Sequence, residues 1–175
     1  MRKLGIDEMN RLTVSEFKKT KKNPVSVILN NVRSLNNIGS IFRTCDAFLI
    51  EKIFLCGITA CPPHKDIHKT ALGATESVDW EYHESTLSVI QNLKKLNYII
   101  ISAEQTDRST LLHALRIDKN NKYAVIFGHE VKGIDQPVID QSDFCIEIPQ
   151  YGTKHSLNIA VSAGIILWEI FTQLK

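Results

Sequence analysis

"VSVILNNVRSLNNIGSIFRTCDAF", residues 25–48, changes its period halfway along. The first six residues are rich in apolar and β-branched types and do not alternate, as in a strand buried on both faces. After a polar, Asn-rich loop, Ile38, Ile41, Phe42 and Cys45 recur at helical spacing. A buried strand feeding a helix is the opening of a βαβ unit, and the rest of the chain repeats it. Downstream lie strands at 52–56 ("KIFLC") and 78–83 ("VDWEYH"), separated by a long polar connection from Gly57 to Ser77. A helix follows at 85–96, with Leu87, Ile90, Leu93 and Leu96 along one face. Three further apolar strands at 97–102, 123–127 and 143–148 precede a final helix from Ser156 to about Leu174. The expectation is an α/β fold: a mostly parallel sheet covered by helices on both faces.

Upstream, Thr13 to Glu16 fits a capping box that opens one short helix, which ends before Pro24 because proline holds the preceding residue extended. Residues 1–23 therefore read as a short basic segment with one helix, and residues 24–175 as a single domain. That segment concentrates Arg2, Lys3, Arg11, Lys18, Lys19, Lys21 and Lys22, which suit a solvated helix face or a phosphate-facing arm. Over the whole chain the net charge is only +2, too small to imply nucleic acid by itself. With 43% hydrophobic and 23% charged residues, the composition is that of a folded domain without extended disorder. The start lacks the apolar stretch of a signal peptide, and Ile159 to Ile170 is too short to span a bilayer, so a cytoplasmic protein with no membrane partner is expected. Cys45, Cys56, Cys61 and Cys145 form no C-x-x-C pair and the histidines show no ligand spacing, so reduced thiols and no metal are expected.

In open parallel sheets, ligands collect beyond the carboxyl ends of the strands. Three polar clusters follow three strand ends here. The first holds Asn31, Asn36, Asn37, Gly39 and Arg43; Asn37 suits a helix cap as well as a ligand contact, and Arg43, flanked by apolar residues, calls for a carboxylate or phosphate, with Asp46 as a possible structural partner. The second is "GHEVKG", where Gly128 and Gly133 flank Glu130 in a tight loop. The third follows Ile148 and Pro149 through a Gly152-containing loop to Lys154, His155, Ser156, Leu157 and Asn158, with Ser156 the natural cap or a first-turn residue of the last helix. No dinucleotide fingerprint or phosphate loop follows the first strand.

These clusters, in this order, resemble the motifs of the SpoU (TrmH-type) branch of the SPOUT superfamily, S-adenosylmethionine-dependent RNA 2′-O-ribose methyltransferases. The first family motif is matched by Asn37, Gly39 and Arg43, the second by Gly128, Glu130 and Gly133, and the third by Ile148, Pro149, Ser156, Leu157 and Asn158. The resemblance runs from about Pro24 to the C-terminus. It implies a deep trefoil knot near the C-terminus, which periodicity does not reveal, and a homodimer. It further implies that Ala103, Glu104, Gly128, Glu130, Gly133, Ile148 and Leu157 bind S-adenosylmethionine, and that Asn37, Arg43, Ser156 and Asn158 stand at the reaction site. An arginine stays protonated in proteins, so Arg43 is better suited to gripping a phosphate and stabilising developing negative charge than to serving as base. Lys18, Lys19, Lys21, Lys22 and Arg33 are candidate RNA contacts. With only the short basic segment ahead of the domain, the family analogy favours transfer RNA over ribosomal RNA. A non-catalytic RNA-binding protein of the same fold is the competing class.

Overall fold

The computed structural model describes residues 1–175, save the side chain of Ile6. Two 3-10 turns (Ile6–Met9 and Leu112–Ala114) accompany seven helices and seven strands. In chain order these are α1 (Val14–Lys19), β1 (Asn23–Asn30), α2 (Leu35–Ala47), β2 (Ile50–Cys56), α3 (Lys65–Ala71), α4 (Ala74–Ser77), β3 (Trp80–His83), α5 (Thr86–Lys95), β4 (Tyr98–Ala103), β5 (Thr110–Leu111), β6 (Lys122–Phe127), α6 (Gln136–Asp140), β7 (Phe144–Glu147) and α7 (Ile159–Leu174).

The strands form one sheet in the order β3-β2-β1-β6-β4-β7-β5. Every pairing within it is parallel, from Val27 against Ile53 and Val125 to Thr110 against Ile146. All carboxyl ends therefore open on one edge. Alternate side chains of β1 feed two cores: Val25, Val27 and Leu29 pack with Ile41 and Phe42 of α2 and with Leu167 and Ile170 of α7. Ile28 points the other way, to Val89, Ile90 and Leu93 of α5 and Val138 of α6. This two-sided burial is why the strand sequence is continuously apolar.

The expected capping box at Thr13 is present: Glu16 N–H donates to Thr13 Oγ1 (3.3 Å) and Thr13 N–H to Glu16 Oε2 (2.8 Å). Phe17 of this helix is buried in the larger core, so α1 is pinned to the body of the domain beside α4. The 57–77 stretch, read as a long polar connection, carries α3 and α4. Their signal is short because α3 leans on α2 through Gly39, where a Cβ would lie 2.1 Å from Thr70 Oγ1 and 2.3 Å from the Ile67 carbonyl. Gly39, a residue of the first polar cluster, thus serves the close approach of a second helix. β7 and α7 come late in the chain yet lie beside β4 and α2, an arrangement consistent with the deep knot the family resemblance implies. Among the described residues, no helix is long and apolar enough to cross a membrane.

Candidate active site

Beyond the carboxyl ends of β4, β6 and β7 lies a cavity of about 520 Å³, within the range of small-molecule sites. Ala103 and Glu104 line it from β4, Gly128 to Gly133 from the loop after β6, Ile148 from β7, and Ser156, Leu157 and Asn158 from the approach to α7. All seven residues expected around the cofactor therefore meet at one cavity, together with two of the four expected at the reaction site. Phe127, Ile146 and Ile166 supply an apolar floor, and Glu147, Gln105 and His155 polar walls that the sequence motifs did not single out. Their signal was positional: they are the neighbours of motif residues at the same strand ends.

The loop after β6 closes on itself. His129 and Gly133 exchange backbone hydrogen bonds of 3.0 and 2.8 Å. Gly133 sits at φ +69, in the left-handed region, and a Cβ there would fall 2.3 Å from Glu104 Oε2. A Cβ on Gly128 would lie 2.5 Å from the Gly133 backbone. Glu104 holds this arrangement from β4: its Oε2 accepts the Ile134 N–H at 2.9 Å and its Oε1 the Gln105 N–H at 3.0 Å. Glu104 thus braces the cavity wall with its side chain.

Glu130 is spoken for in a similar way. Its carboxylate accepts from the backbone N–H groups of Arg33 (3.0 Å) and Ser34 (2.8 Å) and from Asn37 Nδ2 (3.0 Å). Partial burial pushes this carboxyl upward, but the two backbone amides and Asn37 outweigh it and hold the group below its ordinary range. Asn37 Oδ1 in turn accepts from Asn158 Nδ2 at 3.1 Å, and Asn158 Oδ1 accepts from the N–H groups of Ala160 (2.9 Å) and Val161 (3.3 Å). The direction of this chain is forced at both ends. A carboxylate can only accept and a backbone N–H can only donate, so both asparagine amides have one possible orientation. One continuous line of hydrogen bonds therefore ties the three motif loops to the start of α7.

Several expectations are corrected here. Asn37 does not cap α2; Ser34 does, accepting the Asn37 N–H at 3.3 Å, which frees the Asn37 amide for Glu130 and Asn158. Ser156 is not the cap of α7, which begins at Ile159 with Asn158 as its cap. Both residue types suit a cap, and Asn158 takes the role because its carbonyl reaches two orphan amides. Ser156 is left exposed at the cavity. Arg43 is exposed, not embedded at a core boundary, and among the described residues its guanidinium makes no hydrogen bond or ion pair; Asp46 instead accepts from Ser77 Oγ. Arg43 lies six residues beyond Asn37, about 9 Å along α2, in a shallow groove with Thr44, Phe48, Lys69 and Gly164.

The candidate RNA contacts divide. Arg33 is exposed beside Glu130, at the cavity end of the sheet. Lys18, Lys19 and Lys21 are exposed at the end of α1 and just beyond it, immediately before the amino end of β1. β1 has eight residues and spans roughly 25 Å, so these lysines sit at the opposite edge of the sheet from the cavity. Lys22 is not free at all: its ammonium donates to the Phe17 and Thr20 carbonyls at the end of α1 and lies 4.3 Å from the centre of the Phe17 ring.

A family model describing the SpoU rRNA methylase family matches residues 24–168. The chain belongs to that family. Among its relatives, an uncharacterised tRNA/rRNA methyltransferase of Borreliella burgdorferi is 30% identical over 159 residues, 91% of this chain and 68% of its own length. The 23S rRNA (guanosine-2′-O-)-methyltransferase RlmB of Neisseria meningitidis is 27% identical over 83% of this chain, which spans 57% of that enzyme. The crystal structure of the A. aeolicus TrmH/SpoU tRNA modifying enzyme aligns with a TM-score of 0.78 at 25% identity, covering 90% of this chain and 78% of that one. The family match thus covers every motif loop that lines the cavity.

Proposed function

We propose that this chain is an S-adenosylmethionine-dependent RNA 2′-O-ribose methyltransferase acting on transfer RNA. The observation that carries the reading is the directed line from Glu130 through Asn37 and Asn158 to α7, which fixes three separate loops around one cavity. A chain that only bound RNA would have no use for a small-molecule-sized cavity held in this way. The residues present fit the cofactor: Phe127, Ile146, Ile148 and Leu157 offer apolar surface for an adenine ring, and Glu104, Glu130 and Glu147 supply negative charge for a sulfonium and an ammonium group.

S-adenosylmethionine supplies an electrophilic methyl group on a positively charged sulfur. The chain's own task is to bring a ribose hydroxyl into line with that methyl and to ease the loss of its proton. Asn37 and Asn158 hold the cavity's mouth in register. Ser156, exposed there and without a hydrogen-bond partner of its own among the described residues, is placed to orient the hydroxyl. Arg43 stays charged and unpaired, so its part is to grip a phosphate and stabilise negative charge developing on the ribose oxygen, the proton leaving to solvent.

A homodimer belongs to the same reading. α7 buries Ala163, Leu167 and Ile170 but leaves Val161 51%, Ile165 39% and Trp168 54% exposed, beside Phe48. A second copy covering this face would place Arg43 at the interface. The setting we propose is the cytoplasm; the four cysteines are free thiols, as a reducing compartment keeps them.

Calorimetric titration with S-adenosylmethionine and its demethylated product, followed by radiolabelled methyl transfer to transfer RNA and to ribosomal RNA, tests the proposal. Binding and label in the transfer RNA pool are expected. Label in ribosomal RNA alone would move the substrate to that of the Neisseria relative. Failure to bind the cofactor at millimolar concentration would leave the non-catalytic RNA-binding reading in possession.

A further inference from the structure

Beside the cavity, and sharing His129, Glu130 and Val131 with it, is a smaller niche of about 310 Å³ completed by Arg33 and Ser34. We propose that this niche seats one phosphodiester of the RNA, next to the nucleotide presented to the cavity, with the Arg33 guanidinium and the His129 imidazole as its two donors. This rests on the methyltransferase reading above and assigns His129 a role that no motif gives it.

The tautomer of His129 is set by its own loop. Its Nδ1 accepts the N–H groups of Val131 (3.0 Å) and Lys132 (3.3 Å), so the ring proton of the neutral imidazole must lie on Nε2. His129 is therefore a hydrogen-bond donor toward the niche, and in this state it has no free nitrogen with which to act as a base. Arg33 completes the pair. Its backbone N–H is taken by Glu130, but among the described residues its guanidinium meets no carboxylate or carbonyl. The one acid in the niche does not pair with it: the Glu130 carboxylate accepts instead from Arg33 N–H, Ser34 N–H and Asn37 Nδ2. An unpaired guanidinium fork and an N–H donor in one niche match a phosphate's oxygens, which a guanidinium meets two at a time. The niche adjoins the wall that Glu130 links to Asn37 and Asn158, so a phosphate held there is registered against the cavity.

Three variants separate this from a structural role for the loop. Arg33→Ala removes the charged fork. His129→Asn keeps an oxygen able to accept the amides of residues 131 and 132, as asparagine does in tight turns, while deleting the Nε2 donor. Lys119→Ala, an exposed cation away from the cavity, is the control. The RNA pool that accepts label from the wild type is bound by each protein across a potassium chloride series, in the presence of S-adenosylhomocysteine, and cofactor affinity is measured by calorimetry. Arg33→Ala is expected to weaken RNA binding roughly tenfold at low salt and to reduce the slope of log K against log salt by about 0.7 to 0.9, the loss of one phosphate contact. His129→Asn is expected to weaken it roughly threefold with the slope unchanged, since a neutral donor displaces no counterion. Cofactor affinity should stay within about twofold of the wild type in Arg33→Ala, on the same free-energy scale, and the control should match the wild type. An unchanged slope in Arg33→Ala, with the wild type methylating RNA, overturns the niche alone. Weakened cofactor binding with RNA binding intact also overturns it and gives the niche to the carboxylate of the cofactor's methionine. A wild type that binds no cofactor and labels no RNA takes down the function first, and the niche with it.

Discussion

The two loops that face each other across the cavity are built in opposite ways. The loop from 128 to 134 is braced on every side: its ends are bridged at His129 and Gly133, Glu104 holds it from β4, and Glu130 ties it to the start of α2. The stretch from Tyr151 to Asn158 is exposed throughout, Tyr151 to 94%, and before Asn158 its one polar tie to another segment is Gln105 Nε2 donating to the His155 carbonyl at 3.4 Å. One wall of the cavity is thus set before anything binds, while the other is free to settle on what arrives. A site of this kind is pre-organised where geometry must be exact and adaptable where a substrate must enter and leave.

The sharpest way to break that contrast is to add one carbon to the braced wall. In Gly128→Ala the new Cβ would meet the backbone of Gly133 at 2.5 Å and the Ile134 N–H nitrogen at 2.6 Å, neither of which can rotate away as a side chain would. Overpacking against fixed backbone costs about 1–3 kcal/mol, enough to displace the loop that Glu104 and Glu130 hold. Affinity for S-adenosylmethionine, read by calorimetry, should fall by about 100-fold. Unaltered affinity would show that the wall yields and that the bracing is incidental.

A smaller effect should follow from loosening the clasp without adding bulk. Glu130→Gln sets an NH₂ group against N–H donors at one of the two carboxylate oxygens. At neutral pH we expect a loss of about 1 kcal/mol, reduced by solvent at this half-buried position. The sign of its pH dependence is fixed by the direction of the Glu130 shift. The folded carboxyl lies below its ordinary value of 4.5, so the ionised form stabilises the fold above that pH, and the contribution is lost as pH falls through the folded value. The urea midpoint of the wild type should therefore exceed that of Glu130→Gln at pH 7, and the gap should narrow only as the pH falls below 4.5. A gap that does not close with acid would mean that the charge on Glu130 is not what holds the loops together.

Much of this was legible in the chain, and what was not has a common cause. Continuous apolar runs such as 25–30 and 123–127 announced strands buried on both faces, and the polar clusters after them announced where a ligand collects. Residue type and spacing do not say which donor faces which acceptor. Ser156 and Asn158 are equally good caps on paper, and only the fold puts the Asn158 carbonyl against two free amides. Asn37 looked like a cap until Ser34 took that place. Glu104 read as a cofactor contact, and nothing in the chain showed that its carboxylate also holds the backbone of Ile134, thirty residues away. Arg43 looked trapped among apolar neighbours because sequence shows neighbours in the chain, and on a helix those point elsewhere. The basic run at 18–22 read as a solvated helix face or a phosphate-facing arm, and the sequence did not show that it lies at the edge of the sheet opposite the cavity with Lys22 folded back on its own helix.

The mildest change probes the adaptable wall and is the most informative about it. Gly152 has nothing within 4 Å of where a Cβ would stand, and its φ lies outside the left-handed region. Gly152→Ala should therefore leave the folded protein within about 0.5 kcal/mol of the wild type, with the alanine's lower freedom in the unfolded chain acting in its favour. Its melting temperature and its cofactor affinity are both expected to match the wild type, in contrast to the same substitution 24 residues earlier at Gly128. Should melting stay the same while cofactor or RNA binding drops tenfold, the glycine is needed in the bound state and not in the free one. That result would sharpen the comparison: the exposed loop would then close onto its ligand through a conformation or a close approach that only glycine allows, and the cavity's second wall would be completed by binding itself.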